Sequence, residues 1–332
     1  NFGSLVIQDE RGRMKPVNTF SSELLRKLSK KDTYEGLTAD QVFLSMVENP
    51  FIWYGVPIIE IKRENDSIRK ILGVPASERR VSLIDLVDPD GSYKLDPYLE
   101  KASSTNNPSQ FEKDFLKTHE KFYLLNQALG GGILRIFPIP NDENNKWVSV
   151  PQLNEANFSG MDSVYVRQIL PIYRQSLADA RKSGDYSKAD QYLDSMKSFQ
   201  RKFGSDVLPT EKKIKAEIAL NKYDIFRTLY RYYMMIGLLL MIFVIIRIFK
   251  ESRIIRWLIH GTIGIVILFF MMHTAGLIIR WYVSGHAPWS DAYESMIYVA
   301  WATIALGLAF GRKSNLTIAA TTFVAAIILF FA

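Results

Sequence analysis

Four histidines and no cysteine set the limits of the chemistry open to this 332-residue chain. Without thiols it holds no disulfide, thiolate metal site, thiol nucleophile or Cys-ligated iron–sulfur cluster of its own. Lacking a CxxCH sequence, it is not itself a c-type cytochrome. His286 stands in the densest setting, the stretch from Arg280 to Glu294. There Gly285 permits an unusual backbone angle and Pro288 halts a helix. Trp281, Tyr282, Trp289 and Tyr293 put flat apolar surface around the imidazole, and Arg280 supplies a fixed cation for a carboxylate. The set suits a planar dicarboxylate macrocycle whose metal accepts a neutral imidazole. It also suits an interfacial loop whose aromatics form a membrane belt.

The other histidines differ in setting. His273 follows Met271 and Met272 in an uncharged run, about six residues from the helix end, so roughly 10 Å below the boundary at 1.5 Å per residue. An ionisable residue there is either a functional group, with a cofactor as one possible partner, or the donor of an interhelical hydrogen bond to Thr or Ser. One iron would not use both His273 and His286, because a helix running to about Val283 separates them by roughly 15 Å. His260 reads as interfacial, and His119, in a charged stretch, as a solvated surface residue. Glu294, Tyr298 and Trp301 recur at helical spacing and share one face, where the carboxylate calls for a partner such as Arg280.

The elements that must position these residues fall into two parts. The mean hydropathy of the whole chain is 0.00, an average of a polar part and an apolar one. Of 41 Lys and Arg and 34 Asp and Glu, only eight and three fall after residue 230. Four apolar runs follow: Tyr232–Phe249, Ile254–Ile279, Ala292–Phe310 and Leu316–Ala332. A spanning helix needs about 20 residues, so the first three qualify and the fourth reads as cut short by the chain end. Arg247, Lys250, Arg253 and Arg256 crowd the first gap, and Arg312 and Lys313 the third. By the positive-inside rule both are cytoplasmic, which places the Arg280–Asp291 gap and residues 1–230 outside. Tyr230, Tyr232, Tyr233, Trp281 and Trp289 fall at the outer boundary. The basic excess, net +7, thus reads as membrane topology rather than nucleic-acid binding. Gly307-x-x-x-Gly311 is a candidate helix-packing motif.

Residues 1–230 read as mostly helical with a few short strands. Thr38 and Gln41 form a candidate capping box opening a helix with Val42, Phe43 and Met46 inward. Pro57–Lys62 alternates weakly as a strand. Phe111–Leu129 is a helix stopped by Gly130, Gly131 and Gly132, since no Lys-Ser/Thr follows to make a P-loop. Stretches 160–183 and 186–203 form an αα-hairpin, the second helix carrying Ala189, Tyr192, Leu193, Met196, Phe199 and Phe203 on one stripe and Gly184 and Gly204 marking the ends. That hairpin is a packing unit or, more sharply, a partner-binding groove. A third helix from Thr210 runs toward the first membrane segment.

Gly285-His-Ala-Pro-Trp-Ser-Asp-Ala-Tyr-Glu294 resembles the G-H-x-P-x-S-N-x-Y-E segment of CcsA-type proteins of system II cytochrome c biogenesis, with Asp291 where the family has Asn. Leu5–Thr19 and Asp40–Met46 resemble the extracytoplasmic ResB-like domain of fused CcsB–CcsA proteins. The resemblance implies a mainly α chain: an extracytoplasmic ResB-like α(+β) domain over 1–230, a membrane helix at 231–250, and the start of a CcsA-like haem-handling bundle over 254–332. It implies a multi-pass protein of the bacterial inner membrane, with residues 1–230 periplasmic. Haem b would be exported to the outer face and delivered to the CxxCH thiols of apocytochrome c, which separate thioredoxin-like partners keep reduced. His286 would be the iron ligand, with Trp281, Trp289, Arg280, Tyr293 and Glu294 around the cofactor and His273 as a further candidate. The family's tryptophan-rich WWD segment and second external histidine are not in this sequence. The chain is therefore expected to be a piece of a holocytochrome c synthase, inactive alone, with no catalytic residue assigned. The rival expectations are a membrane-anchored extracytoplasmic sensor and a structural scaffold of a biogenesis complex.

Overall fold

A computed structural model describes residues 2–63, 65–104, 107–285, 287, 289, 292–311 and 314–332. The chain divides into two compact units, Asn1–Thr210 and Glu211–Ala332. Both are dominated by helices, and the strands among the described residues are two or three residues long.

The first unit opens on a hairpin of β1 (Val6–Gln8) and β2 (Met14–Pro16), paired antiparallel with Val6 opposite Pro16. Helices α1 (Val17–Ser29) and α2 (Ala39–Glu48) follow, separated by the β3–β4 hairpin (Thr33–Tyr34 and Leu37–Thr38). Thr38 and Gln41 form the expected capping box, and Val42, Phe43 and Met46 are buried. After the short α3 (Pro50–Trp53), β5 (Ile59–Glu60) pairs with β6 (Arg80–Val81) around α4 (Asp66–Leu72). The expected strand over 57–62 is thus reduced to its middle two residues.

Helix α5 (Asp96–Ser104) precedes α6 (Gln110–Leu129), which starts on a second capping box, Ser109 with Glu112. Helix α6 ends where Gly131 takes φ +75°, as a stop rather than an anion cradle. Strands β7 (Phe137–Pro138) and β8 (Trp147–Val148) lead to α7 (Gly160–Ser183) and α8 (Ser187–Phe203). Gly184 closes α7 in the left-handed region. Gly204 closes α8 for a different reason: a Cβ there would lie 2.5 Å from Cζ2 of Trp147.

Two glutamines tie distant loops into this core. Nε2 of the buried Gln200 on α8 donates to Val6 O at 2.7 Å and to Ile136 O at 3.0 Å, and its Oε1 accepts from Val6 N at 3.3 Å. Gln8 donates to Asn145 O at 3.0 Å and accepts from Trp147 N at 2.7 Å. They satisfy backbone groups in and beside short strands that strand pairing leaves over.

In the second unit, α9 (Glu211–Tyr223) breaks from α10 (Ile225–Phe249) at Asp224, a non-glycine in the left-handed region (φ 41°, ψ 56°). The helix expected from Thr210 onward is therefore two segments. Helices α11 (Arg253–Ser284), α12 (Ala292–Phe310) and α13 (Asn315–Phe331) complete the unit. The stretches Glu211–Phe249, Arg253–Ser284 and Ala292–Phe310 are long and apolar enough to cross a membrane, and Asn315–Phe331 is apolar but shorter. With 32 residues α11 is about 48 Å long, well beyond a hydrocarbon core of about 30 Å.

Glycines set the spacing in this bundle. A Cβ on Gly237 of α10 would lie 3.0 Å from the backbone of Phe323 in α13. Gly307 on α12 faces Thr321 and Gly311, just past its end, faces Ile318, so the expected Gly-x-x-x-Gly motif is the seat of α13.

Candidate functional site

Helices α11 and α12 bring the Arg280–Glu294 region together. Helix α11 ends at Gly285 (φ 77°, ψ 0°), whose N–H donates to Trp281 O at 2.9 Å. His286, Pro288, Ser290 and Asp291 lie outside the described residues, so the expected iron ligand has no structural account here. The side chains that flank it do.

Arg280 Nε donates to Glu294 Oε1 at 2.9 Å, and the carboxylate is almost wholly buried. The guanidinium also lies 4.9 Å from the centroid of the Tyr293 ring. The expected partner of Glu294 is thus Arg280, an ion pair joining the last turn of α11 to the first turn of α12. Trp281 and Trp289 are 58% and 62% exposed, so both indoles offer open surface. Trp289 meets Tyr298 edge-on at 5.5 Å, Tyr298 stacks on Trp301 at 5.6 Å, and Trp301 stacks on Phe270 at 5.7 Å. Of Glu294, Tyr298 and Trp301, expected on one face, the first holds the ion pair and the other two form an aromatic ladder along α12 with Trp289 and Phe270. Trp301 Nε1 donates to Thr274 Oγ1 at 2.9 Å and fixes its lower rung to α11.

His273 is two turns below Arg280 on α11, away from this aromatic surface. It is fully buried, with Nε2 3.1 Å from the carbonyl oxygen of Ile297 on α12. The rings of Phe226 and Tyr233 on α10 lie at 5.5 and 6.0 Å. The interhelical hydrogen bond expected of it therefore exists, but to a backbone carbonyl rather than to Thr or Ser. The structure brings Arg280, Tyr293 and Glu294 together and sets His273 in a separate pocket.

His260 is exposed, with Nδ1 2.7 Å from Arg256 O. His119 is not the solvated residue expected: it is half-buried, its ring 5.5 Å from that of Tyr93, with Nδ1 shut off from solvent. Burial also pushes the Tyr93 hydroxyl above its ordinary range, with the nearby Asp96 carboxylate adding to the shift.

The sequence reading missed Lys213. Helix α9 packs along α11 and puts this ammonium 5.7 Å from the centroid of the Tyr282 ring. No motif links residues so far apart in sequence. Among the described residues, no three His, Cys, Asp or Glu side chains gather as a metal site. The residue types nonetheless fit a flat, anionic, largely apolar molecule: open indole faces on Trp281 and Trp289, with a guanidinium over Tyr293 and an ammonium over Tyr282 in the same region.

No protein-family model matches the chain. It is 34% identical over 337 residues to Protein NrfI of Wolinella succinogenes, a match covering 99% of this chain and 36% of that protein. It is 50% identical over 36 residues to the cytochrome c biogenesis protein CcsA of Lotus japonicus, 11% of each chain. The chain thus spans about a third of the length of the first relative and about a ninth of the second. Together the two matches support a cytochrome c biogenesis family.

Proposed function

We propose, from the premise of that family, that the chain takes part in delivering haem to apocytochrome c at the outer face of a bacterial inner membrane. In this reading residues 1–230 form the extracytoplasmic, ResB-like domain, and residues 254–332 begin a CcsA-like haem-handling bundle that a longer protein completes. The observation that carries the proposal is the pair of open indoles, Trp281 and Trp289, beside the Arg280–Glu294 ion pair on the two helix ends that flank His286.

Haem is the cargo, and its vinyl groups and iron supply the chemistry. His286 would offer a neutral imidazole to the iron. The two indoles would cover the macrocycle and shield it from water. Arg280, part-exposed, would offer its open side to a propionate while it keeps Glu294, so that the buried carboxylate is never left without its cation. Each thioether forms when a cysteine S–H of apocytochrome c adds across a vinyl group: sulfur and hydrogen both end on haem carbons, and nothing is oxidised. The apocytochrome's thiols would have to arrive reduced, and in this reading thioredoxin-like partners supply that reduction.

The test uses the full-length protein. Purified with the Soret band monitored, wild type retains haem and transfers it to a CxxCH client, whereas His286→Ala loses most of the retained haem. A His286→Ala protein that binds and transfers haem as wild type does sinks the ligand assignment. A wild-type protein that never shows a Soret band favours a scaffold.

A further inference from the structure

Two buried polar atoms of the membrane-helical unit meet no partner among the described residues: Nδ1 of His273 and Oη of Tyr233. Both side chains are fully buried, with ring centroids 6.0 Å apart and planes inclined by 40°. The tautomer of His273 follows from its other nitrogen. The Ile297 carbonyl can only accept, so Nε2 carries the proton and Nδ1 presents a lone pair. Tyr233 presents a hydroxyl, both donor and acceptor. The walls are apolar rings: Phe226 lies edge-on to the imidazole at 5.5 Å and Phe269 edge-on to Tyr233 at 6.2 Å. Gly276, one turn along α11, gives Phe226 its place, since a Cβ there would lie 3.1 Å from that ring. Lipid tails offer no hydrogen bond to either atom, so any partner must come from inside the bundle.

We propose that Tyr233 and His273 form a binding site for one water molecule inside the bundle. The water donates one O–H to Nδ1 of His273 and accepts the O–H of Tyr233. Two polar atoms on neighbouring buried rings, each without a partner among the described residues, supply the two hydrogen-bonding groups that a buried water needs at least. A metal ion does not suit the place: one imidazole and one phenol among phenyl rings fall short of a ligand set, and no metal-binding cluster occurs among the described residues. The water would tie α10 to the seam between α11 and α12, which the His273–Ile297 bond already spans. This inference is independent of the haem reading and survives its failure.

The experiment takes full-length protein in lipid nanodiscs with ¹⁵N-labelled histidine, the His273 signals assigned by their loss in His273→Asn. The expected spectrum is a neutral imidazole protonated at Nε2, with the Nδ1 resonance displaced from the free lone-pair position. Tyr233→Phe should move Nδ1 back toward that position and leave the tautomer unchanged. In parallel, millisecond X-ray radiolysis should label Tyr233 despite its complete burial, because radicals arise from the bound water itself. An Nδ1 resonance at the free lone-pair position in wild type overturns the proposal. So does a displaced resonance with no radiolytic label on Tyr233, which would mean a direct Tyr–His bond. Both decisive readings come from wild type, so a Tyr233→Phe protein that fails to assemble leaves the test intact.

Discussion

In the first unit, polar side chains close gaps between distant stretches of backbone; in the second, they stand in a row along one seam. Gln200 reaches β1 and the chain near Ile136, and Gln8 reaches the turn before Trp147, so each joins loops that helices alone would leave loose. The α11–α12 seam carries Arg280 with Glu294, His273 with the Ile297 carbonyl, and Trp301 with Thr274. The difference follows from solvent. Polar groups of a water-exposed unit can fall back on water when a partner is lost, so its ties can be scattered. Between membrane helices bulk water is not at hand, and most polar side chains gather where a second helix answers them.

The sharpest way to break the comparison is to take the cation from Glu294. Arg280→Leu should cost about 3 kcal/mol or more, because it strips a buried carboxylate of its charge partner. Arg280→Leu with Glu294→Leu should recover most of that loss. Thermal unfolding of the full chain in detergent reads both variants, and equal losses in the single and the double variant would contradict the pairing. Next in size is Gln200→Leu, which leaves the backbone groups of Val6 and Ile136 without their side-chain partner. Its cost should be on the order of 2 kcal/mol, below a full penalty for each group because water can enter this unit. Hydrogen exchange at Val6 N–H should accelerate in that variant while the second unit keeps its protection.

The smallest effect is one of pH. The Asp9 carboxyl sits below its ordinary range: burial pushes it up, and Lys15 with the N–H groups of Arg11 and Arg13 outweighs that push. A lowered carboxyl adds stability that is present above the unfolded value of about 3.9 and disappears as pH falls through the folded one. Asp9→Asn should therefore flatten the acid limb of the first unit's stability curve by less than about 1 kcal/mol, read by circular dichroism between about pH 5 and pH 2. An unchanged acid limb would remove Asp9 from the account.

Much of the second unit was legible because its signals are local. Long uncharged runs mark helices, the Gly307 and Gly311 spacing marks a packing face, and Arg280 and Glu294 flank one short turn. The Thr38–Gln41 capping box and the buried stripe of α8 were legible for the same reason. Other features left no local mark. A two-residue strand cannot show alternation, which hid most of the hairpins. The break at Asp224 puts a non-glycine in a backbone region that its residue type does not announce. The partner of His273 is a backbone carbonyl, which has no letter in the sequence. Gly204 looked like an ordinary helix end, and only the fold shows that the Trp147 ring fills the space a side chain would need.

The reach of Gln200 also imposes an order in time. The hairpin it fastens contains Val6, 194 residues earlier in the chain. At a synthesis rate of about 5–20 residues per second, some 10–40 s pass between the making of the hairpin and the making of its clasp. Throughout that interval the hairpin, which packs on α1 just after it in the chain, lacks this clasp on the Val6 backbone. The Val6 backbone therefore gains its side-chain partner only when nearly the whole unit has been made.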